Sequence, residues 1–240
     1  MTSLFISDLH LHPDRPEAGA AFIRFLETDA RHAQALYILG DLFEIWIGDD
    51  DIDAHAQQII ASLRKLTDTG MPCFFMHGNR DFMIGAEFAQ ACGIELLYDP
   101  TLIYVGGRSV LISHGDFMCT DDASYQRYRK FVRNPRNQRI SMAFPTFCRT
   151  WLGRRIRRKS VANAKLKRPE IQDVNEQAVH NTLHNYGVHT MIHGHTHRPG
   201  IHDFDLDGTP AQRIVLGDWY EQGSVLSWNS DGPQLNSLAF

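Results

Sequence analysis

Apolar positions in this chain come in short unbroken runs, separated by longer stretches where they recur at helical spacing. Residues 4–9 form the first run, which closes on Asp8-Leu9-His10. From about Pro16, a residue suited to a first helical turn, Ala18, Phe22, Phe25 and Leu26 share one face. Residues 35–39 read as a buried strand closing on Gly40-Asp41. Residues 53–69 read as a second helix, with Ile59, Ile60, Leu63 and Leu66 inward and Gly70 as its stop. The next strand, residues 73–76, ends at His77-Gly78-Asn79-Arg80-Asp81, and residues 85–92 form a short helix. A hairpin follows, residues 102–105 and 109–113 turned by Gly106-Gly107, ending at His114-Gly115-Asp116. A helix near residues 170–186 leads to the apolar stretch His189-Thr190-Met191-Ile192. Beyond it the tail is β-rich, with a turn at Asp207-Gly208 and strand-like residues 213–216 and 224–228. Strands alternating with helices, plus antiparallel hairpins, predict an α/β fold with α+β character.

The chemistry-bearing residues sit where these runs stop. Asp8 and His10, Asp41, Asn79, His114, and His193, His195 and His197 each follow the end of an apolar strand. In open α/β sheets, ligands collect at the carboxyl ends of strands, so these groups are expected to converge. Histidines one residue apart point to opposite sides of a regular strand, but past the strand end Gly194 lets several imidazoles reach one centre. Alone, a His-rich turn is as well explained by loop hydrogen bonding. Five such termini in succession favour a metal. Carboxylates, a carboxamide and several imidazoles suit divalent first-row ions, and their number exceeds what one tetrahedral ion needs. Two ions are expected, with Asp41 as the bridging carboxylate. Without a thiolate in the set, a structural zinc site is disfavoured. Paired ions of this kind serve hydrolysis at phosphorus.

Composition changes the picture in one place. The 240 residues, 43% hydrophobic, carry a formal charge of −4. Residues 123–169 contain no acid and 15 of the 24 basic residues, leaving 9 basic against 28 acidic elsewhere. That split predicts an acidic catalytic core, residues 1–121 and 170–240, and a basic helical insertion, residues 122–169. In the insertion Phe131, Ile140, Met142, Phe144, Phe147, Trp151, Leu152 and Ile156 recur among arginines, and Pro135 and Pro145 break the helices. This composition fits a helix on an anionic membrane surface or a lid over acyl chains. Nucleic acid also recruits arginines, but these aromatics cluster with aliphatics and are not spaced singly as base-stacking platforms, so none is expected. Scattered cysteines (Cys73, Cys92, Cys119, Cys148) fit a reduced compartment. Strand-like sequence from Leu4 and the lack of an apolar run of roughly 18 residues predict neither a signal peptide nor a transmembrane helix. A cytoplasmic location is expected.

Taken in order, Asp8-Leu9-His10, Gly40-Asp41, Gly78-Asn79, His114-Gly115 and Gly194-His195-Thr196-His197 resemble the calcineurin-like metallophosphoesterase signature. The resemblance implies a β-sandwich flanked by helices with two metals at its strand ends. By motif, Asp8, His10, Asp41 and His197 would hold one ion, and Asp41, Asn79, His114 and His195 the other. Many members carry Gly-Asn-His at the third motif. Here Arg80 replaces that histidine, and a guanidinium that keeps its proton would act as a phosphate clamp in place of a general acid. The alternative for Arg80 is a surface ion pair with Asp81. Residues 39–50, 77–82, 114–122 and 192–199, with the chain length, further resemble the UDP-2,3-diacylglucosamine pyrophosphohydrolase family. That resemblance implies a peripheral enzyme of lipid A biosynthesis on the cytoplasmic face of the inner membrane. It also implies two Mn²⁺ ions, with UMP and 2,3-diacylglucosamine 1-phosphate released by attack on the α-phosphorus. Catalytic roles would fall to Asn79, Arg80 and His195, and substrate contacts to Asn79, Arg80, Asp122, Ser160, Lys167 and His195. Tyr125 is a further contact candidate, and Asn163 would replace a polar group that the family often has where this chain has Ala164. No obligate protein partner is implied. The competing expectation is another metallophosphoesterase, a nuclease or nucleotide phosphodiesterase, that ignores acyl chains.

Overall fold

A computed structural model describes residues 2–164, 171 and 173–240. Two sheets face one another. The first has six strands, ordered β11-β10-β1-β2-β3-β4: β1 (Ser3–Ile6), β2 (Ala35–Ile38), β3 (Cys73–Met76), β4 (Glu95–Leu97), β10 (Gly223–Asn229) and β11 (Gly232–Leu238). The second has five, ordered β5-β6-β7-β9-β8: β5 (Thr101–Val105), β6 (Arg108–Ser113), β7 (Thr190–His193), β8 (Gly200–Leu206) and β9 (Thr209–Val215). Strands β1 to β4 run parallel, as do β6, β7 and β9, while the hairpin partners and the β1–β10 pair are antiparallel.

Alternation explains the layers. Phe5 of β1 points between the sheets, where it meets Met76, Ile112, Ile192, Ile214 and Trp228. Its neighbours Leu4 and Ile6 point outward to helices α1 (Pro16–Glu27), α2 (Ala54–Thr67) and α3 (Ala86–Cys92), against Phe22, Ile59, Leu63 and Phe88. On the other flank, α7 (Glu176–Tyr186) lays Val179 and Leu183 on Leu111 and Met191 of the second sheet. The central parallel strands are buried on both faces, which is why their sequences read as unbroken apolar runs.

Several boundaries moved for local reasons. α2 ends at Thr67 with Asp68 as its C-cap, and Gly70 merely completes the turn that follows. α7 begins at Glu176 because Asn175 caps it, its side chain accepting the Ala178 N–H at 3.1 Å. The insertion is helical and broken at the two prolines, into α4 (Ala123–Val132), α5 (Pro135–Met142) and α6 (Thr146–Ala164). No residue of α4 or α5 is fully buried, and Phe131, Phe147 and Trp151 are 64%, 72% and 60% exposed, which leaves an apolar and basic outer face. Of the three adjacent acids 49–51, Asp49 is structural. It accepts N–H groups from Gly85 (3.0 Å) and Phe88 (3.0 Å) at the start of α3 and from the Trp46 indole (2.9 Å). Asp50 pairs with Arg149 of α6.

Candidate metal centre

The strand-end residues converge, and the backbone is bent to bring them there. Six non-glycine residues among those described adopt positive φ, and five are Asp8 (56°), His10 (51°), Asp41 (54°), His195 (71°) and His197 (56°). Such conformations cost about 1–3 kcal/mol each and persist where the surroundings over-determine them. Here the two loops stay zipped beyond the strands. Asp8 N donates to Gly40 O (3.1 Å) and His10 N to Asp41 O (2.9 Å), so turning one loop turns the other.

Two groups of donor atoms result, Asp8 with His10 and His197, and Asp8 with Asp41 and His114. In the first, His10 Nε2 and His197 Nε2 stand 3.2 Å apart, with Asp8 Oδ1 at 3.9 and 3.3 Å. Their outer nitrogens each face a carboxylate. His10 Nδ1 lies 3.3 Å from Glu44 Oε2, and His197 Nδ1 lies 3.2 Å from Asp218 Oδ2. A carboxylate behind each ring leaves its Nε2 facing the partner ring, where a cation would be held by both. Asp8 Oδ1 is buried without a hydrogen bond, which fits the same need. Burial lowers the His197 pKa, but Asp8 and Asp218 outweigh it and raise the ring to about 10. A cation entering here displaces that proton.

In the second group, Asn79 Oδ1 lies 3.1 Å from His114 Nε2 and 2.8 Å from His195 Nδ1. Asp41 Oδ1 is 3.8 Å from His114 Nε2, while its Oδ2 is 4.0 Å from His10 Nε2, so this carboxylate faces both groups. His114 Nδ1–H donates to Leu39 O at 2.9 Å, leaving Nε2 as the donor atom toward the centre. Burial, reinforced by His114, lowers the His195 pKa to about 4, which keeps that ring neutral and competent as a ligand.

Not every candidate points inward. His193 turns away, with Nδ1 at 2.8 Å from Gly194 O and Nε2 at 3.3 Å from Arg213 Nη1. Burial lowers its pKa to about 3, so it serves as a neutral core side chain. Arg80 does not pair with Asp81. Its backbone N–H donates to Asp41 Oδ1 (2.8 Å), its Nε lies 3.9 Å from Asp41 Oδ2, and that nitrogen is buried without a hydrogen bond. Asp81 instead is buried and accepts the N–H groups of Leu42 (2.7 Å) and Gly78 (2.8 Å), tying the second and third loops together. Burial and the nearby Asp41 raise its pKa to about 7, against those two donors.

The substrate candidates are placed unevenly. Tyr125 stacks toward His195 at 5.7 Å and donates its hydroxyl to Asp116 Oδ2 at 2.7 Å. Asp122 caps α4, accepting the Tyr125 N–H at 3.0 Å. Ser160 lies exposed on α6, Asn163 is on α6 with its side chain outside what the structure describes, and Lys167 lies outside the described residues. Sequence reading missed Glu44, Asp218, Asp81 and Asp116. Asp218 had a signal, because Leu216-Gly217-Asp218 repeats the pattern of Leu39-Gly40-Asp41 at the end of another strand.

Strand-end carboxylates, a carboxamide and imidazoles between two sheets define a metal-dependent hydrolase acting on phosphorus. The calcineurin-like phosphoesterase model matches residues 1–199, and the chain belongs to that family. Within it the chain is similar over its whole length to proteins called UDP-2,3-diacylglucosamine hydrolase. It is 46% identical over 240 residues to the one from Klebsiella pneumoniae subsp. pneumoniae, covering 100% of both chains. Identity is 48% over 232 residues to that of Pseudomonas aeruginosa, covering 97% of each, and 45% over 240 residues to that of Serratia proteamaculans, covering 100% of each.

Proposed function

We propose that the chain hydrolyses the pyrophosphate of UDP-2,3-diacylglucosamine to UMP and 2,3-diacylglucosamine 1-phosphate, a step of lipid A biosynthesis. The observation that carries this reading is identity of 45–48% across essentially the full length of relatives bearing that name, in a chain whose donor set fits two cations. Asp8, His10, Asp41 and His197 would hold one ion, and Asp41, Asn79, His114 and His195 the other, with Mn²⁺ as the metal. Bound ions of this kind acidify water and neutralise charge building on the phosphoryl oxygens. The protein supplies the rest. Asp41 faces both groups, Asn79 presents its carbonyl between His114 and His195, and Arg80 holds a fixed positive charge beside Asp41. With 2,3-diacylglucosamine 1-phosphate leaving from the α-phosphorus as a phosphate anion that needs little protonation, a phosphate clamp is of more use than a strong acid. Residues 122–169 act as the insertion that receives the acyl chains. Its exposed Phe147 and Trp151 beside Arg154 and Arg158 suit a peripheral site on the cytoplasmic face of the inner membrane. No helix of the described residues is long and apolar enough to cross a membrane.

The decisive assay uses metal-stripped protein with UDP-2,3-diacylglucosamine in detergent, with and without Mn²⁺, in ¹⁸O-water. UMP formed with metal alone and carrying the label is expected. A generic phosphodiester cleaved in its place, with no UMP, would retain the centre and discard the lipid substrate. Arg80→Lys should lower kcat/KM about 10–100-fold, because a point charge replaces a forked donor worth roughly 1.5–3 kcal/mol. Steady-state kinetics giving an unchanged value would remove the clamp.

A further inference from the structure

The basic insertion does more than face outward, because arginines at two places in it turn in toward the centre. From α4, Arg133 Nη2 donates to the carbonyls of His77 (3.2 Å) and Gly78 (3.0 Å), the two residues before Asn79. The same nitrogen lies 3.4 Å from buried Asp116, which also takes Arg129 Nε at 2.9 Å. From α6, Arg157 donates to Glu44 Oε1, and the other oxygen of that carboxylate is the one 3.3 Å from His10 Nδ1. Each helix therefore reaches a different half of the site. α4 grips the loop whose Asn79 stands between His114 and His195, and α6 grips the carboxylate behind His10.

We propose that the insertion is part of the scaffold of the metal centre, with Arg133 and Arg157 as positioning residues that hold the Asn79 loop and the His10 ring in the orientation a cation requires. The proposal rests on the two-metal reading of the site. Both members of the Arg157–Glu44 pair keep about a fifth of their side-chain surface exposed (23% and 20%), so water weakens the bond only in part and the charge-assisted contact keeps its direction. Without Arg157, Glu44 is at liberty to rotate toward solvent, and His10 Nδ1 loses the carboxylate 3.3 Å away that favours Nε2 as the nitrogen facing the ion. Without Arg133, the carbonyls of His77 and Gly78 lose the donor that draws the third loop against α4. Outer groups that orient ligands in this way typically alter metal affinity 10–100-fold when removed.

A simpler role, gluing the insertion to the core, is separable, because Arg149 does that alone. It donates to Ile47 O (2.6 Å) and to Asp50, neither of which touches a candidate ligand.

The test needs no substrate. The full-length chain, stripped of metal, is titrated with Mn²⁺ while the electron paramagnetic resonance signal of the free ion is followed. Arg133→Met, Arg157→Met and Glu44→Gln should each weaken Mn²⁺ binding about tenfold or more. Combining Glu44→Gln with Arg157→Met should add little to either alone, because they act through one ring. Arg157→Lys should recover part of the loss, and the lysine variants carry the comparison should either methionine variant fail to fold. Arg149→Met should lower Tm and leave Mn²⁺ affinity unchanged. Folded Arg133 and Arg157 variants that bind Mn²⁺ within about twofold of the unaltered chain would overturn the proposal, as would equal weakening in Arg149→Met. An unaltered chain that binds no Mn²⁺ would overturn the two-metal reading with it. Normal Mn²⁺ binding without UMP formation would count against the substrate alone.

Discussion

Asn79→Ala is expected to reduce turnover by on the order of 10³-fold or more while leaving the fold intact. Asn79 Oδ1 is the atom that stands between His114 Nε2 and His195 Nδ1, and no other side chain on its loop can reach that point. Arg80 is cationic and turned toward Asp41, and Asp81 is committed to Leu42 and Gly78. The side chain is short, polar and only partly buried, so its removal opens no apolar core cavity. UMP release measured with saturating Mn²⁺, alongside far-ultraviolet circular dichroism, separates the two effects. Retained turnover in a folded variant would overturn the ligand assignment, and His195→Ala provides the same check from the opposite side of the carboxamide.

Gly78→Ala should disable the same loop by sterics alone. An added Cβ would fall 2.0 Å from Asp41 Oδ1 and 2.3 Å from Asp41 N, and the backbone of Gly78 already rests against Gly40. Asp41 is buried and cannot withdraw, since its carboxylate is held by the Arg80 N–H and its backbone pairs with His10. Forced overpacking of this kind costs about 1–3 kcal/mol, or a fall in Tm of roughly 2–10 °C in a chain this size. Activity should fall further than stability, because the displaced group is the carboxylate that faces both halves of the centre. A scanning calorimetry trace and a rate measured well below Tm test this together. Full activity with unaltered Tm would mean the two loops are not packed as described.

Most of the fold was legible because parallel strands buried on both faces announce themselves as apolar runs, and each ended near a chemistry-bearing residue. Strand β4 escaped because Glu95-Leu96-Leu97 is a three-residue edge, half-exposed and without alternation. The inward residues Asp8, His10, Asp41, Asn79, His114, His195 and His197 were visible as strand-end residues, but position alone did not separate His193 from them, and only the family resemblance left it out. Its side chain leaves β7 before the turn at Gly194, on the side facing Arg213. The supporting acids were harder to see. Glu44 lies in the apolar stretch 42–47 and Asp81 beside Arg80, and what each faces is decided by neighbours elsewhere in the sequence, Arg157 for Glu44 and Leu42 for Asp81. The insertion was read as basic and helical from composition alone, yet pattern could not tell which cations face in. Arg129, Arg133, Arg149 and Arg157 are drawn by Asp116, Asp50 and Glu44, partners that no local spacing reveals.

The pairing of β1 with β10 joins residues 3–5 to residues 226–228. During synthesis β1 can pair early with β2, but its other edge stays open until residues 226–228 have been made. The Trp219 N–H that donates to Asp8 O, and Trp228 at the sheet interface, arrive equally late. A nascent chain that stops short of β10 therefore carries a half-zipped first sheet and an unsupported Asp8 turn.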